Sequence, residues 1–287
     1  MKSRKLTYNQ KSALVVGRKV LDRFSRLIIS YTPQLFRIIN NIPTPWASCI
    51  LLKFGNHRFL VTAAHAFYDY DKALNPKGIG ITVNQSMLFP SGKMKITELV
   101  YEQNDKIDIA IIYLNDLEQI KQLESVYKFL DLKEVAFNHA IIPNQNYLIV
   151  GYPVTKTVVS KKYIDPKPCS FFNRTASTNV YKSLNVDEDL SVIFEYRKRK
   201  QFNITKTQIT QGPNPIGLSG CGLWDFKISD GTRPKPLIRL MAIMFEWDKN
   251  RSILIGTRTK FLFPIIAAFI ASDSEAINEL STYFETS

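Results

Sequence analysis

The chain has 287 residues and 45% of them are hydrophobic, so it can bury a substantial core in one large domain or two moderate ones. Its formal net charge of +13 favours acidic partner proteins or polyanions. No apolar run reaches the roughly 18 residues of a membrane span, and the three cysteines form neither a disulfide framework nor a zinc-type Cys-x-x-Cys pair. We therefore predict no metal, no cofactor and no membrane span, and a reducing, cytoplasmic compartment.

An amphipathic helix is predicted over residues 9–30. Its apolar positions recur at helical spacing, and they are Leu14, Leu21, Phe24 and Ile28. Pro33 ends the pattern. We expect the helix to pack on the main domain, and the alternative is docking on a partner or a membrane surface. Because the first forty residues hold nine Lys/Arg and one acid, Asp22, a mitochondrial presequence is a further alternative.

Short strands separated by turn residues follow from about Trp46. In the first half they are predicted at 47–54, 58–62, 79–83, 95–101 and 108–114. A helical period over 116–132 then indicates a connection between two halves. Strands resume at 147–151, 192–196, 222–226, 237–245 and 252–257. Many short strands predict an all-β barrel or sandwich, and a capping-box pattern at 272–275 begins a helical tail.

A serine between glycines is the first sign of chemistry, in the sequence Gly-Leu-Ser-Gly-Cys-Gly at 217–222. A nucleophile that attacks a carbonyl must sit on a tight, exposed turn, and Gly217 permits the unusual dihedral angles that such a turn needs. The backbone N–H groups of Gly217 and Ser219 would form an oxyanion hole. A Gly/Ser turn is common, so this segment alone would be weak.

Two upstream residues supply what a serine nucleophile lacks, a base and a group that orients the base. His65 follows an apolar strand end and two alanines, and Asp108 interrupts an otherwise apolar strand. A carboxylate in such surroundings needs a partner, because a buried unpaired charge is costly. The alternatives are a structural histidine and a strand-end aspartate bound by the backbone or by Lys106. We predict a triad of His65, Asp108 and Ser219.

Three motifs in this order resemble those of the chymotrypsin/trypsin-like serine protease family. They are Thr-Ala-Ala-His at 62–65, Asp-Ile-Ala-Ile at 108–111 and Gly-Leu-Ser-Gly-Cys at 217–221. The resemblance covers about residues 43–270 and implies two six-stranded antiparallel barrels with the triad in the cleft between them. The units expected are an N-terminal helical extension (1–42), a first barrel (43–115), a helical connection (116–140), a second barrel (141–264) and a helical tail (265–287).

The chain departs from the family pattern at two positions. Leu218 replaces the aspartate that binds a newly cut N-terminus in secreted trypsin-like zymogens, and a leucine cannot form that ion pair. The chain is therefore more similar to intracellular bacterial trypsin-like peptidases. Cys221 stands where glycine is usual. We interpret it as a small buried residue, and the alternative is a redox-sensitive brake on the site.

The resemblance also implies substrate-binding residues. Pro213 and Asn214 would lie near the base of a specificity pocket, and Gly256 would belong to its wall. The segment 244–247 (Met244, Phe245, Glu246 and Trp247) would be the edge strand that pairs with an extended substrate. Glu246 could form a negative wall for Lys or Arg, or it could face solvent, and the sequence leaves this open.

The predicted function is hydrolysis of peptide bonds in a protein substrate by a serine endopeptidase. The resemblance implies regulation by a sensor or activator protein, and a further hypothesis is the protease effector of a bacterial antiviral defence system. The competing hypothesis is a catalytically dormant fold that serves as a basic protein- or nucleic-acid-binding module. No nucleic-acid-binding motif supports the latter, and the basic run at 197–200 is interpreted as a solvated hairpin tip.

Overall fold

The computed structural model describes residues 8–68, 74–75, 78–97, 107–142, 145–160, 163–198, 201–203, 208–228 and 236–286. In these residues the helices are α1 (Tyr8–Ile29), α2 (Leu117–Glu124), α3 (Thr178–Leu184), α4 (Leu262–Phe269) and α5 (Ser274–Thr286). The strands are β1 (Gln34–Ile39), β2 (Ile42–Ser48), β3 (Ile50–Phe54), β4 (His57–Thr62), β5 (Ile79–Val83), β6 (Ser86–Leu88), β7 (Gly92–Ile96), β8 (Ala110–Leu114), β9 (Leu130–Asp131), β10 (Asn146–Gly151), β11 (Val158–Val159), β12 (Ile164–Asp165), β13 (Cys169–Arg174), β14 (Ser191–Glu195), β15 (Gln201–Asn203), β16 (Gln208–Thr210), β17 (Gly222–Ile228), β18 (Pro236–Asp248) and β19 (Ile253–Arg258).

The first half of the chain forms a six-stranded antiparallel barrel. Its two sheets run β2-β1-β5-β6 and β7-β8-β4-β3, and the second sheet ends in a short parallel pairing with β9. Only Cys49 separates β2 from β3, and three residues separate β6 from β7. Each of these pairs is therefore one bent strand that passes from one sheet to the other, and the pairing order closes on itself. The interior is apolar, with fully buried residues such as Leu35, Leu51, Leu60 and Ile81.

The second half forms the other barrel, with the strand order β13-β10-β17-β18-β19-β14. An isolated bridge between Thr175 and Phe194 joins the two ends of this order. The N–H of Ala176 also donates to the carbonyl of Ile193 at 2.8 Å. The predicted fold class, all-β with two six-stranded antiparallel barrels and helices at both ends, is confirmed.

The terminal helices cover a core that both barrels share. Phe24 and Ile28 of α1, together with Ile266 of α4 and Leu280 of α5, are buried against strands of both halves. The ring of Phe24 lies 5.0 Å from that of Phe226 on β17. The predicted N-terminal helix is confirmed, and it packs on the barrels. In the part of the chain that the structure describes, no helix combines the length and the hydrophobicity that a membrane crossing requires.

Several elements differ from the sequence-based expectations. The strand β1 lies within residues 1–42, which were expected to be a helical extension, and it pairs with β2 and β5 inside the first barrel. In the expected helical connection only α2 is α-helical, since Leu130 and Asp131 extend the sheet through β3. The α5 helix is capped by Asp273, whose Oδ1 accepts from the N–H of Ala276 at 3.1 Å, one residue after the cap predicted. The unit boundaries themselves stay a prediction.

Candidate active site

His65 lies at the end of β4, where the chain turns into a short 3-10 segment (Ala64–Phe67). Ala63 and Ala64 are buried, so this turn packs closely on the first barrel and fixes the imidazole beside it. Nδ1 of His65 lies 2.7 Å from Oδ2 of Asp108. The backbone N–H of His65 donates to the other carboxylate oxygen at 3.0 Å. The histidine is therefore held by Asp108 at both its ring and its backbone.

Asp108 precedes β8, and its side chain is only 6% exposed. Its own N–H donates to Oγ1 of Thr257 on β19, at 3.1 Å, which ties this residue to the second barrel. A buried carboxylate only accepts hydrogen bonds, so the proton of the imidazole belongs on Nδ1 and leaves Nε2 as an acceptor. The backbone N–H and the ring Nδ1 of His65 provide hydrogen bonds to both oxygens of this carboxylate. Lys106, the alternative partner, lies outside the described residues.

Ser219 completes the constellation. Its Oγ lies 3.0 Å from Nε2 of His65 and 3.3 Å from the carbonyl oxygen of Phe245. The hydroxyl carries one proton and can donate it to Nε2 of His65 or to this carbonyl. The structure thus brings Ser219, His65 and Asp108 into one hydrogen-bonded chain, although 154 residues separate the serine from the histidine.

The glycines beside Ser219 are required by both conformation and space. Gly217 has φ of +96° and Gly220 has φ of +82°, which side chains rarely adopt. A Cβ at Gly217 would lie 2.6 Å from the carbonyl oxygen of Tyr152. At Gly220 it would lie 2.1 Å from the carbonyl oxygen of Ser48. The chain can therefore make this turn, against the first barrel, only with glycine at these positions.

Two N–H groups of the same turn point away from the protein's own acceptors. The carbonyl of Ile216 accepts from Val154 at 2.8 Å, and in a trans peptide the N–H of Gly217 must point the opposite way. The carbonyl of Leu218 accepts from Cys221 at 2.9 Å, which turns the N–H of Ser219 away in the same manner. Among the described hydrogen bonds neither N–H has an acceptor, so both are available to a substrate oxygen.

Leu218 and Cys221 attach the turn that carries Ser219 to the core of the second barrel. Leu218 is 2% exposed and packs in the second barrel's core together with Cys221. A Cβ on Gly151, across from them, would lie 2.7 Å from the Cβ of Cys221, so little space remains there. Apolar packing therefore holds the turn at Leu218, the position at which the sequence resemblance would place an aspartate.

Cys221 is not placed to act as a redox-sensitive brake. Burial raises the pKa of its thiol far above the usual value, and the thiolate is the form that reacts with oxidants. We expect hydrogen peroxide to leave Cys221 unmodified in the folded protein, as measured by mass spectrometry of its peptide. Protein oxidised in denaturant is the positive control. Sulfenic acid on Cys221 of the folded protein, with loss of reactivity at Ser219, would restore the brake hypothesis.

A cleft of about 530 Å³ lies beside the triad and is lined by both barrels. The first barrel contributes Thr44, Pro45, Trp46, Ala47, His65 and Ala66. The second contributes the turn at 215–219, the segment 244–247, Leu254 and Val154.

The sequence-based pocket residues are only partly in this lining. Met244, Phe245, Glu246 and Trp247 line the cleft as expected from the resemblance. Pro213 and Asn214 do not, and Pro215 and Ile216 occupy that side instead. The reason is local: Pro213 is held away by its carbonyl, which accepts from the hydroxyl of the buried Tyr196 at 2.6 Å. The side chain of Asn214 accepts from the N–H of Ile216 at 3.4 Å.

Gly256 lies behind the cleft rather than in its lining, because it pairs with Met244 across the sheet and the Met244 side chain covers it. Leu254 and the segment 44–47 also line the cleft, and the sequence did not indicate them. Trp46 directly precedes the strand predicted at 47–54 and in the structure lies in β2, but nothing in the sequence places it near Ser219.

Comparisons with known proteins support the fold. No protein-family model matches the sequence, and no curated protein does. Among solved structures, the chain is similar to an inactivated protease paralogue from the scabies mite (SMIPP-S-I1), with a TM-score of 0.51 and 14% sequence identity. The match covers 86% of this chain and 96% of the other. At this identity the likeness concerns the fold alone, and the fold of this chain is chymotrypsin-like.

Proposed function

We propose that this protein is a serine endopeptidase that hydrolyses peptide bonds of a protein substrate through Ser219, His65 and Asp108. The observation that carries the proposal is the continuous hydrogen-bonded chain from the Asp108 carboxylate through both ring nitrogens of His65 to Oγ of Ser219. Such a chain lets the imidazole take the serine proton while the carboxylate stabilises the imidazolium that forms.

The reaction then follows from the positions of these groups. Oγ of Ser219 attacks the scissile carbonyl carbon and its proton passes to Nε2 of His65. The carbonyl oxygen becomes negative and is received by the N–H groups of Gly217 and Ser219. His65 returns the proton to the leaving amine, which leaves an acyl-enzyme on Ser219. Water, activated by His65, hydrolyses that ester and regenerates the serine.

The substrate backbone would bind as an extra strand on β18. The partner strand β17 pairs with β18 only up to Ile243, and the Gly220–Cys221 turn then hydrogen-bonds both backbone groups of Met244. Beyond Met244, β18 has no strand partner on this side among the described residues. An extended peptide can pair with such an edge through its main chain, which would present its carbonyl to Ser219.

The buried leucine at 218 supports a site that is formed without an ion pair. Apolar packing of Leu218 sets the conformation of the turn in the folded chain. The control by a sensor or activator protein, the cytoplasmic location and the antiviral role stay predictions from the sequence.

A fluorophosphonate probe tests the proposal directly. It phosphonylates serines that an adjacent base activates, so we expect stoichiometric labelling of the folded protein, with the modified peptide containing Ser219. The Ser219→Ala variant is the control and should take no label. A folded protein that takes none would instead support a dormant fold, comparable to the inactivated protease paralogue of the scabies mite.

A further inference from the structure

The strand β18 carries a β-bulge beside Ser219. Its pairing with β19 steps from Met244 opposite Gly256 to Glu246 opposite Ile255, so that Phe245 has no partner across the sheet. The carbonyl of this bulged residue is the one that lies 3.3 Å from Oγ of Ser219. A bulge shifts the alternation of side chains by one residue. As a result, Met244 and Trp247 face the same side, and both pack in the core of the second barrel.

Three apolar side chains close the cleft on this side. Leu254 lies directly opposite Trp247 in the β18–β19 pairing, and it lines the cleft although it is only 2% exposed. Leu254 therefore lies at the floor of the cleft and not at its solvent-exposed edge. Next to it, the sulfur of Met244 would lie 2.7 Å from a Cβ on Gly256, so the thioether covers that glycine. The floor is filled by Leu254, Trp247 and Met244, and it is apolar.

Glu246 does not contribute its carboxylate to this floor. It is adjacent to Trp247 in a regular stretch of strand, and neighbouring side chains in a strand point to opposite faces. Its cross-strand partner Ile255 packs with Tyr181 and Ile193 in a cluster on the outer face of the barrel. Leu254, in contrast, belongs to the interior cluster. Glu246 therefore lines the cleft outside the floor, on the face of the strand opposite Trp247.

Because the three floor residues are apolar, the charge of a substrate side chain determines whether it can bind there. A lysine or arginine that reached Leu254 would lose its hydration without meeting an acidic partner, which is strongly unfavourable. A large aromatic ring needs more room than an aliphatic side chain, and the side chains of Leu254 and Trp247 already occupy the floor. An aliphatic side chain loses only apolar surface to water and gains contact with all three floor residues.

We infer that, given the proposed endopeptidase activity, the enzyme cleaves after small aliphatic residues of the valine or alanine class, and that Leu254 and Trp247 determine this preference. Basic and acidic residues are excluded at the same position. This deepens the proposed function by naming the class of peptide bond that Ser219 attacks.

Peptidyl phosphonates that differ only in the side chain next to the phosphorus test the inference on the full chain. We expect the rate constant of inactivation for the valine compound to exceed that for the lysine compound by about 100-fold or more, and that for the phenylalanine compound by about 10-fold. Leu254→Ala deepens the floor and should raise the phenylalanine-to-valine ratio by about 10-fold. Ile255→Ala, its neighbour on the outer face, is the matched control and should leave the ratio unchanged.

The outcomes separate the inference from the proposed function. A protein that reacts with the fluorophosphonate but prefers the lysine or phenylalanine phosphonate is an active serine hydrolase with a different pocket, and the inference is then wrong. If the phenylalanine-to-valine ratio is unchanged in a folded Leu254→Ala variant, Leu254 does not determine which side chain binds at the floor. If Leu254→Ala does not fold, the wild-type order of the three compounds decides alone. Failure to react with any phosphonate, fluorophosphonate included, overturns the function and the inference together.

Discussion

Replacement of Ser219 by alanine is expected to lower kcat for peptide hydrolysis by about 10⁴- to 10⁶-fold, because the attacking oxygen is lost while the cleft and the N–H donors remain. His65→Ala should have an effect of similar size, since no other base lies within hydrogen-bonding distance of Oγ among the described contacts. Asp108→Asn should lower kcat by about 10⁴-fold, because an amide cannot hold the imidazole in the tautomer that accepts the serine proton. Initial rates on a peptide with valine before the cleaved bond measure all three.

Matched residues elsewhere in the chain provide the controls. Ser86 is exposed on β6, and Ser86→Ala should leave kcat unchanged. His57 hydrogen-bonds Tyr113 and Asp273 at 3.0 and 3.1 Å on another part of the first barrel. His57→Ala should therefore lower the melting temperature without a comparable loss of activity. Activity in Ser219→Ala within about ten-fold of the wild type would exclude the triad as the source of cleavage.

The double variant Ser219→Ala/His65→Ala gives a second, independent check. Because the two side chains act as one unit, the second replacement should add almost nothing to the loss caused by the first. Multiplied losses would mean that the two residues contribute separately, which the direct 3.0 Å contact between Nε2 and Oγ does not predict. Circular dichroism before each assay ensures that the variants compared are folded.

The three residues that meet at the candidate site could be singled out from the sequence because each has a local signature. An acid within an apolar strand, a histidine after two alanines and a serine between glycines are unusual in themselves, and their chemistry is complementary. The structure also shows why these three side chains lie close together. Asp108 is tied to Thr257 and Ser219 is tied to Ser48, so that each barrel holds a member of the triad that the other barrel orients.

The elements that the sequence did not predict depend on contacts between distant parts of the chain. The strand β1 is short and follows Pro33 directly, and only its pairing with β2 and β5 makes it a barrel strand. The floor of the cleft depends on a bulge at Phe245, and a one-residue shift in pairing decides which side chains face inward. Pro213 and Asn214, expected from the spacing near the base of the pocket, lie outside the lining because the carbonyl of Pro213 accepts from the hydroxyl of Tyr196, a contact that the sequence does not reveal.

Ser48 is the point at which the first barrel contacts the proposed nucleophile, Ser219. Its N–H donates to the carbonyl of Ser219 at 2.8 Å, and its hydroxyl donates to the carbonyl of Gly217 at 3.0 Å. Its own carbonyl accepts from Oγ1 of Thr62 at 2.7 Å. Gly220 lies directly against the Ser48 carbonyl and the Thr62 hydroxyl. The close contact between Gly220 and the Ser48 carbonyl therefore joins the two barrels and also lies next to Ser219. This contact has room only for a glycine.

Gly220→Ala is accordingly expected to damage stability and activity together. A Cβ there would lie 2.1 Å from both the Ser48 carbonyl oxygen and Oγ1 of Thr62, in a residue with φ of +82°. The left-handed conformation and the overpacking together should cost about 2–5 kcal/mol in the free energy of unfolding. Displacement of Ser219 by about 1 Å should slow fluorophosphonate labelling by about 100-fold. Chemical unfolding and labelling rates measure the two effects.

Gly55→Ala separates the contribution of the backbone from that of the contact. Gly55 also has a positive φ, +53°, but a Cβ there meets no atom within 4 Å. It should cost only the conformational part, about 1–2 kcal/mol, and leave labelling of Ser219 unchanged. If the two variants were equally stable and equally reactive, the contact between Gly220 and Ser48 would have no role in holding the nucleophile. A greater loss at Gly220 on both measurements would show that the approach of the two barrels positions the serine.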